Sequence, residues 1–361
     1  MTSETDAPTH LFNFESESLK QALNSWGEKK FRISQIRKWI FDDRAQSFDD
    51  MMNLPKVLRE KLSGHFQLWT SKVIKHSKSA DGTEKLLLEW PDGGRVECVL
   101  LRDGVRRSIC VSSQVGCAMG CVFCASGLDG VDRSLTAGEI LEQMLLLQRL
   151  LPSEERISHI VMMGMGEPLV NLDNVLACLS QASSADGLGI SPRRITISTV
   201  GIPQSIDKLS ELNTRYNLAV SLHAPNDELR SELVPVNKNI GIQKVLDAAD
   251  RYFEVSGRRL TFEYVLLAGI NDQVEHAREL AQLLRKRAVL LNVIPYNSVE
   301  GLPYRTPSSK SISDFRKILT DAGITIQFRQ KKGDEIDAAC GQLRRNAAKP
   351  TVTIGGEKTQ D

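Results

Sequence analysis

Three cysteines lie close together in the segment VGCAMGCVFCASG, residues 115 to 127. Cys117, Cys121 and Cys124 have the spacing C-x-x-x-C-x-x-C, which predicts metal ligation rather than structural disulfides in a reducing compartment. Structural zinc is almost always closed by four ligands, commonly two separated pairs, and the sequence has no second pair. A 4Fe-4S cluster normally takes four thiolates. Three thiolates would leave one iron open for a substrate ligand, and this favours an iron–sulfur centre over zinc.

Two further cysteines stand in different contexts. Cys110 belongs to the apolar segment RSICVS, where a cysteine is usually a small buried side chain. Cys340 follows a charged segment in GDEIDAACGQLRR, which predicts a mobile nucleophile. A thiol with its ordinary pKa near ~8.5 is only a few per cent ionised at neutral pH, so a nearby cation or polar donor would activate both residues. The sequence does not identify that group.

The segments that must position these residues alternate between strand and helix patterns. From about residue 107, the runs RSICVS, SHIVMMG, RRITIST, YNLAVSLH, RLTFEYVLL and VLLNVIPY are each followed by a helical pattern, and the strand ITIQFRQ comes last. Such alternation predicts a parallel sheet with right-handed crossovers. Six units are too few for a closed eight-fold barrel. We therefore predict an α/β fold, a partial (β/α)6 barrel with its active site at the C-terminal ends of the strands, where Cys340 would reach the barrel mouth.

Several polar or glycine-rich segments follow the predicted strands directly. Residues at these positions face the mouth of such a barrel and could contact a cofactor, although each could also be an ordinary loop cap. His223 by itself is more often a hydrogen-bonded loop histidine than a ligand. The candidates are Gly166 and Glu167 in GMGEP, Ser198 in ISTVG, Ser221, Leu222 and His223 in SLHAPND, and Asn297 in IPYN.

The remaining chain divides by pattern into short regions. Helical periodicity broken by GEKKF and NLP gives way to alternating β-branched runs separated by ADGT, PDGG and RDGV, which predict hairpins. The expected order is a disordered leader at 1–15, an all-helical domain at 16–66, a β-hairpin extension at 67–106, the barrel with the Cys340 loop at 107–345, and a tail at 346–361.

The charge and hydropathy of the sequence limit where RNA could bind and argue against secretion or a membrane span. The 361 residues include 46 basic and 45 acidic side chains, so any RNA-binding surface must be local. Candidate basic patches are residues 28–39, 285–287, and 330–332 with 344–345, although such helix faces are usually only solvated. The polar N-terminus is unlike a secretory signal, and no apolar run approaches the ~18 residues of a membrane span. We expect a cytoplasmic protein.

The motifs together resemble a known family. CAMGCVFCASG, with Phe123 in the aromatic position, and GMGEP resemble the radical S-adenosylmethionine (SAM) superfamily, in which SAM occupies the open iron and Glu167 would pair with its ammonium. With ISTVG, SLHAPND and KKGDEIDAACGQLR, nearly the whole chain resembles the RlmN branch of the RlmN/Cfr radical SAM methyltransferases. The N-terminal RISQIRKWIF and FDDMMNLPKVLREKL resemble that family's helical accessory domain, which implies RNA binding.

The resemblance implies methylation of adenosine C2 in 23S rRNA and in a subset of tRNAs. Carried over by motif, Cys117, Cys121 and Cys124 bind a 4Fe-4S cluster, and Gly166, Glu167, Ser198, Ser221, Leu222, His223 and Asn297 bind SAM. Cys340 becomes an S-methylcysteine intermediate in a ping-pong reaction that uses two SAM molecules. Cys110 resolves it through a transient disulfide, and Glu97 is the proton acceptor.

The resemblance also implies partners, and other interpretations of the same motifs stay open. The reaction needs an electron donor such as flavodoxin, and we expect a monomer without membrane association. Cfr-type methylation of adenosine C8 would use the same cysteines, so only the product separates it. A radical SAM activase acting on a protein is disfavoured by Cys110 and Cys340. A non-catalytic iron–sulfur RNA-binding factor would need neither Cys340 nor GMGEP.

Overall fold

The computed structural model describes residues 8–13, 16–258, 260–329 and 332–344. The predicted tail at 346–361 and residues 1–7, 14 and 15 of the predicted leader lie outside the described residues. Within the leader, Leu11 and Phe12 form a short 3₁₀ turn and are buried. This differs from the expected disorder because two large apolar side chains find a place in the core.

The N-terminal region is helical, as its periodicity predicts. A two-stranded parallel pair brackets it, with Thr9 opposite Phe66. Its elements are β1 (Thr9–His10), α1 (Ser16–Ser25), α2 (Phe31–Phe41), α3 (Lys56–His65) and β2 (Phe66–Gln67).

An antiparallel meander follows and leads into the barrel. Each strand pairs with the next, and the exposed strand β3 forms one edge of the sheet. The strands are β3 (Lys72–Lys78), β4 (Glu84–Glu89), β5 (Arg95–Asp103) and β6 (Arg106–Cys110).

The remaining strands and helices form the barrel and its loops. Their bounds are β7 (Gln114–Gly116), β8 (Val131–Ser134), α4 (Ala137–Arg149), β9 (His159–Met162), α5 (Leu172–Ser183), β10 (Ile195–Thr199), α6 (Pro203–Glu211), β11 (Asn217–Ser221), α7 (Asp227–Leu233), α8 (Asn237–Ile240), α9 (Ile242–Ser256), β12 (Leu260–Leu266), α10 (Val274–Leu284), β13 (Val289–Pro295), α11 (Ser309–Asp321) and β14 (Ile326–Phe328).

The sheet topology confirms the predicted α/β fold. Ten strands form one sheet in the order β14-β13-β12-β11-β10-β9-β6-β5-β4-β3. The run from β6 through β9 to β14 is parallel, and helices connect most of its neighbours. The C-terminal ends of these strands therefore share one edge, which is where the predicted site residues follow them.

Local signals explain where several barrel helices begin and end. Thr136 accepts a hydrogen bond from the backbone N–H of Glu139, and the Glu139 side chain accepts from the Thr136 backbone, so α4 starts at a capping box. Pro203 occupies the first turn of α6, where its missing N–H costs nothing. The left-handed Gly257 ends α9.

One continuous apolar core joins the N-terminal helices to the barrel. It includes Phe41, Leu58 and Leu62 together with buried residues of α4 and the barrel strands. The buried Arg37 on α2 lies 2.6 Å from the Asp186 carboxylate after α5, so polar contacts reinforce this packing. The helical region is thus a packed part of the same core.

Candidate active site

The three predicted ligand cysteines occupy the loop at residues 117–127, named here the three-cysteine loop. Its entry requires glycine at position 116, because φ is +79° and a Cβ would lie 2.1 Å from the Gly130 carbonyl oxygen. The Cys117 N–H donates to that same oxygen at 2.8 Å. Farther along, Val122 donates to the Leu233 carbonyl at the end of α7. The start and the middle of the loop are thereby held at the strand-end edge.

The three thiols are close enough to influence one another electrostatically. Burial is the main cause that raises the pKa of Cys117 to about 11, with the Cys124 charge adding to it. The pKa of Cys121 is also raised, first by burial and then by Cys124 and Cys117. No three His, Cys, Asp or Glu side chains of the described chain converge as ligands of one metal ion. A 4Fe-4S cluster bonds each thiolate to a different iron and does not require that convergence.

A small apolar cluster surrounds these thiols at the strand-end edge. Phe123 packs edge-on against the imidazole of His223, with ring centroids 4.8 Å apart. Val200, Leu233 and Tyr296 belong to the same cluster, and Cys121 and Cys124 pack against it. Apolar surroundings and partial burial disfavour a charged thiolate, so neutral thiols are favoured until a metal displaces their protons.

His223 is a neutral, oriented imidazole. Burial lowers its pKa to about 3, and its Nδ1 accepts a hydrogen bond from the Val265 N–H at 3.1 Å. A backbone N–H can only donate, so Nε2 carries the proton and remains a donor. His223 also adopts a left-handed backbone conformation with φ of +61°. The predicted loop histidine is thus both hydrogen-bonded and able to donate.

The GMGEP segment packs against the chain that follows β6. A Cβ on Gly164 would lie 2.6 Å from the Val111 carbonyl oxygen, and one on Gly166 would lie 2.6 Å from the Gln114 Cβ. The Gln114 side chain also accepts from the Glu167 N–H at 2.9 Å. Glycine is therefore required at both positions so that the GMGEP backbone can pack against residues 111–114. This requirement is separate from close approach of the backbone to a cofactor, which the motif suggests.

The Glu167 carboxylate is buried, and its neighbours are backbone donors. Its two oxygens accept hydrogen bonds from the N–H groups of Leu169 at 3.0 Å and Val200 at 2.7 Å. Burial nevertheless raises its pKa to about 7. A cationic ligand beside this carboxylate would stabilise its charged form.

The other predicted cofactor residues lie along the same edge. Ser198 and Ser221 are partly buried near the ends of β10 and β11, and Leu222 is fully buried. Asn297 follows β13, and its Nδ2 donates to the Cys340 carbonyl oxygen at 3.4 Å. Its buried Oδ1 has no protein partner among the described residues. Buried acceptors normally have a hydrogen-bond partner, so this oxygen suits a site in which a bound ligand donates to it.

Sequence reasoning missed Arg230, which organises two of these strand ends. This fully buried residue on α7 donates to the carbonyl oxygens of Val200 at 2.6 Å, Ser221 at 2.9 Å and Leu222 at 3.1 Å. Burial lowers its pKa to about 10, while the Cys121 charge acts in the opposite direction. In the sequence, an arginine within DELRSEL looks like part of a solvated helix face.

Arg230→Met is expected to lower the free energy of unfolding by about 3 kcal/mol or more, because buried carbonyl oxygens lose their donor. Denaturant unfolding followed by intrinsic fluorescence measures this change. Arg278→Met is the control, since that guanidinium is exposed and lies 3.8 Å from Glu275; its effect should stay below about 0.5 kcal/mol. Equal effects of the two substitutions would contradict the organising role of Arg230.

The segment at residues 332–344, named here the Cys340 loop, is anchored to the rest of the site. The Gly341 carbonyl accepts from Ala125 at 2.7 Å and the Leu343 carbonyl accepts from Ser126 at 2.6 Å, both from the three-cysteine loop. Gln342 donates to the Ser298 carbonyl at 2.9 Å. The predicted mobile nucleophile therefore lies in a loop with hydrogen bonds on its C-terminal side.

The structure brings Cys340 and Cys110 into one electrostatic group. All seven cysteines are free, and Cys110 is buried at the end of β6. Burial is the main cause that raises the pKa of Cys110 to about 12, and the Cys340 charge adds to it. Arg329, which follows β14, donates from Nη1 to the Cys340 Sγ at 3.5 Å. This is the cation that the sequence could not identify.

Glu97 is buried on β5 and joins the meander to the Cys340 loop. Its Oε1 lies 2.8 Å from the Nζ of buried Lys85, and its Oε2 accepts from the Arg344 N–H at 3.0 Å. Lys85 also donates to the Asp337 carbonyl at 2.9 Å. Burial raises the pKa of Glu97 despite the nearby Lys85 charge. A glutamate on a hairpin strand is normally exposed, so the burial of Glu97 and its ion pair with Lys85 could be found only from the structure.

These residues fit an iron–sulfur cluster and SAM. The donor set is three partly buried thiols, two of them packed against an apolar cluster, which suits cluster ligation. Glu167 is a buried carboxylate whose raised pKa a ligand cation would lower, and Asn297 leaves a buried acceptor unpaired. Both groups can accept hydrogen bonds from the ammonium or hydroxyl groups of a ligand.

Comparison with known families agrees with the geometry. The profile of the Radical SAM superfamily matches residues 111–281. The profile of the ribosomal RNA large subunit methyltransferase N-terminal domain matches residues 9–68.

Individual relatives cover almost the entire chain. The chain is 66% identical to a Rhodopirellula baltica protein named "Probable dual-specificity RNA methyltransferase RlmN", over 97% of this chain and 95% of the relative. It is 46% identical to a Carboxydothermus hydrogenoformans protein of the same name, over 92% and 97%. The crystal structure of a radical SAM methyltransferase from Sphaerobacter thermophilus is 40% identical with a TM-score of 0.91, covering 94% of this chain and 100% of that chain.

Proposed function

The chain belongs to the RlmN family of radical SAM RNA methyltransferases, and we propose that it methylates C2 of adenosine in 23S rRNA and in a subset of tRNAs. The observation that carries this proposal is a pair of thiols, Cys110 and Cys340, that influence each other electrostatically, with Arg329 donating to Cys340 and the Cys340 loop hydrogen-bonded to the three-cysteine loop. A conventional methyltransferase needs no pair of protein thiols, whereas a reaction that passes a one-carbon unit through the protein needs one thiol to carry it and another to release it.

The chemistry of the target explains the need for a radical. The C2–H of adenine lies between two ring nitrogens, so this carbon neither attacks a sulfonium nor loses its proton readily. When bound at the three cysteines, the 4Fe-4S cluster and SAM supply a methyl group and a carbon radical that can remove a hydrogen atom. The protein must then hold the one-carbon unit at the target base and exclude water.

We assign the binding roles to the residues at the strand-end edge. Cys117, Cys121 and Cys124 hold the cluster, and Glu167 accepts hydrogen bonds from the SAM ammonium. The remaining SAM contacts come from Gly166, Ser198, Ser221, Leu222, His223 and Asn297. Support comes from the donor proton on His223 Nε2 and from the unpaired Oδ1 of Asn297.

We assign the steps of methyl transfer, proton removal and product release to Cys340, Glu97 and Cys110. Cys340 accepts the methyl group as S-methylcysteine. Once bound SAM has removed one hydrogen atom from that group, its carbon would bond to C2 of the base, and one electron would return to the cluster as the C2 proton leaves. Glu97 accepts the C2 proton; its raised pKa makes it a stronger base than an exposed glutamate, provided that it leaves its contact with Lys85. Cys110 then attacks the Cys340 sulfur, which forms a transient disulfide and frees the methylated RNA.

The function is tested by anaerobic reconstitution with iron, sulfide, SAM, a reductant and a 23S rRNA transcript, followed by nucleoside mass spectrometry. The expected product is 2-methyladenosine. Since base-stacked adenosines must first be extruded at a cost of a few kcal/mol, loop transcripts should react better than duplexes. 8-Methyladenosine would instead indicate Cfr-type specificity, and cluster formation without any methylated nucleoside would indicate a non-catalytic RNA-binding factor.

The N-terminal helices are the proposed RNA-binding region. Lys29, Lys30 and Phe31 are exposed at the start of α2. Arg37 of the same predicted patch is buried against Asp186 and cannot contact RNA in this arrangement. Because the helices share one core with the barrel, surface substitutions test this role better than deletion of the region.

Replacing both Lys29 and Lys30 by Glu is expected to weaken RNA binding and to lower the slope of log affinity against log salt by up to ~1.4, since each lost single-strand phosphate contact removes ~0.7. Filter binding at several salt concentrations measures both effects. The matched control replaces Lys310 and Lys317 on α11 by Glu, two exposed lysines already paired with Asp314 and Asp321. If both double variants bind RNA alike, the assigned surface is wrong.

The cellular setting completes the proposal. We propose that the protein acts as a monomer in the cytoplasm, with a flavodoxin-like donor supplying electrons, because the chemistry requires a low-potential reductant and RNA substrates. No helix in the described part of the chain is long and apolar enough to span a membrane.

A further inference from the structure

Arg329 occupies a position between three groups that can carry negative charge. Its Nη1 lies 3.5 Å from the Cys340 Sγ, within hydrogen-bonding distance for sulfur. Its backbone N–H donates to the Val293 carbonyl at 3.0 Å, which fixes the residue to the end of β13. The charge of Cys340 is the largest influence that raises the pKa of Arg329, and Glu263 and Cys110 act in the same direction.

The same guanidinium acts on the second cysteine. Burial raises the pKa of Cys110 to about 12, and the Arg329 charge opposes that increase. Burial likewise raises the pKa of Glu263 on β12 to about 7, again opposed by Arg329. Glu263 accepts a hydrogen bond from Asn292 at 2.7 Å, so its carboxylate is held in place inside the barrel. Arg106 is a further cation near Arg329, but its Nε donates to Ser108.

We propose that Arg329 is a catalytic residue that stabilises the Cys340 thiolate as it takes up the methyl group. This inference rests on the proposed roles of the two cysteines. Arginine suits the task because its guanidinium stays charged and offers five donors in a rigid plane, so it can hold the Cys340 sulfur by a charged hydrogen bond.

The charges in the methyl-transfer step explain why a cation beside Cys340 helps. In the first step, a lone pair on Cys340 Sγ forms the S–CH₃ bond while the sulfonium of SAM releases that methyl group and keeps the bonding pair. Cys340 becomes a neutral thioether, a much weaker acceptor, and the Arg329 donors become available. In the second step, the Cys110 thiolate forms the S–S bond, and the bond from Cys340 sulfur to the one-carbon unit breaks with its pair on carbon, which takes a proton.

The test measures the reactivity of Cys340 without SAM or RNA. Cluster-loaded protein is treated with iodoacetamide at fixed neutral pH, and peptide mass spectrometry follows alkylation of Cys340. Arg329→Gln should slow alkylation by about tenfold or more, because the thiolate loses its cation. Arg329→Lys should stay within about threefold of the parent, since it keeps the charge.

Two further variants separate catalysis from folding. Arg316→Gln is the matched control: Arg316 is exposed and stacks 4.3 Å from the Phe328 ring, and its replacement should leave the Cys340 alkylation rate unchanged. In Arg329→Gln the buried Glu263 carboxylate loses its neighbouring cation, which could destabilise the fold. The double variant Arg329→Gln with Glu263→Gln removes that carboxylate as well. Its Cys340 should be alkylated as slowly as in Arg329→Gln, while the protein keeps its fold and iron content. Parent-like alkylation of Cys340 in folded Arg329→Gln overturns the proposal, and so does equal slowing in Arg329→Lys. Failure of the parent to methylate RNA would refute the proposed function instead.

Discussion

Cys110→Ala is expected to accumulate as a covalent complex with its RNA substrate. This variant keeps Cys340, the cluster ligands and Arg329, so it can still place the one-carbon unit on the base. It lacks the thiol that attacks the Cys340 sulfur, and release should fall by several orders of magnitude. Denaturing gel electrophoresis with labelled RNA detects the complex, and peptide mass spectrometry should place the attachment at Cys340.

Cys340→Ala should behave in the opposite way. Without the carrier thiol, the protein should hold no S-methyl group and form no RNA adduct, although its cluster stays intact. Cys98→Ala is the matched control: Cys98 is also buried, and Cys110 contributes to its raised pKa after burial, so the two lie near each other on neighbouring strands. Its removal should cost packing energy but leave turnover. Multiple turnover by Cys110→Ala with no trapped adduct would require another release step.

Loss of any one of Cys117, Cys121 and Cys124 is expected to reduce bound iron to near background. Three thiolates leave no spare cysteine in the three-cysteine loop, and a 4Fe-4S cluster is normally held by thiolates. Iron and sulfide analysis with visible absorbance after anaerobic reconstitution measures the cluster. RNA methylation should disappear with it.

Cys178→Ala provides the control for the cluster experiment. Cys178 is fully buried in α5 and its Sγ lies 4.0 Å from the Met144 sulfur, so its removal disturbs the core without touching the three-cysteine loop. This variant should retain its iron. Stoichiometric zinc without iron in anaerobically isolated parent protein would exclude the iron–sulfur assignment.

Much of the site could be predicted because its signals are local. The spacing of Cys117, Cys121 and Cys124 places them on one loop whatever the rest of the chain does. Alternation of strand and helix patterns predicts a parallel sheet, and parallel strands end at a common edge. Ser198, Ser221 and Asn297 therefore lie along the same edge as the three-cysteine loop.

Other features depend on contacts between distant segments. The buried ion pair of Glu97 with Lys85 joins two strands that periodicity alone would leave half exposed. Arg230 looks like a surface arginine until α7 packs beneath the strand ends and buries it among three carbonyl oxygens. Residues 9–13 look like a polar leader until Leu11 and Phe12 meet the core.

By itself, the sequence determined the element order, the three-cysteine loop and the edge at which the candidate site residues lie, because spacing and periodicity act over a few residues. Only the tertiary structure decided which charge faces which thiol. Arg329 reaches Cys340 and acts on Cys110 because the partial barrel brings the end of β14 near the end of β6. Desolvation and hydrogen bonding depend on every neighbour in space, and neither quantity can be read from a linear pattern.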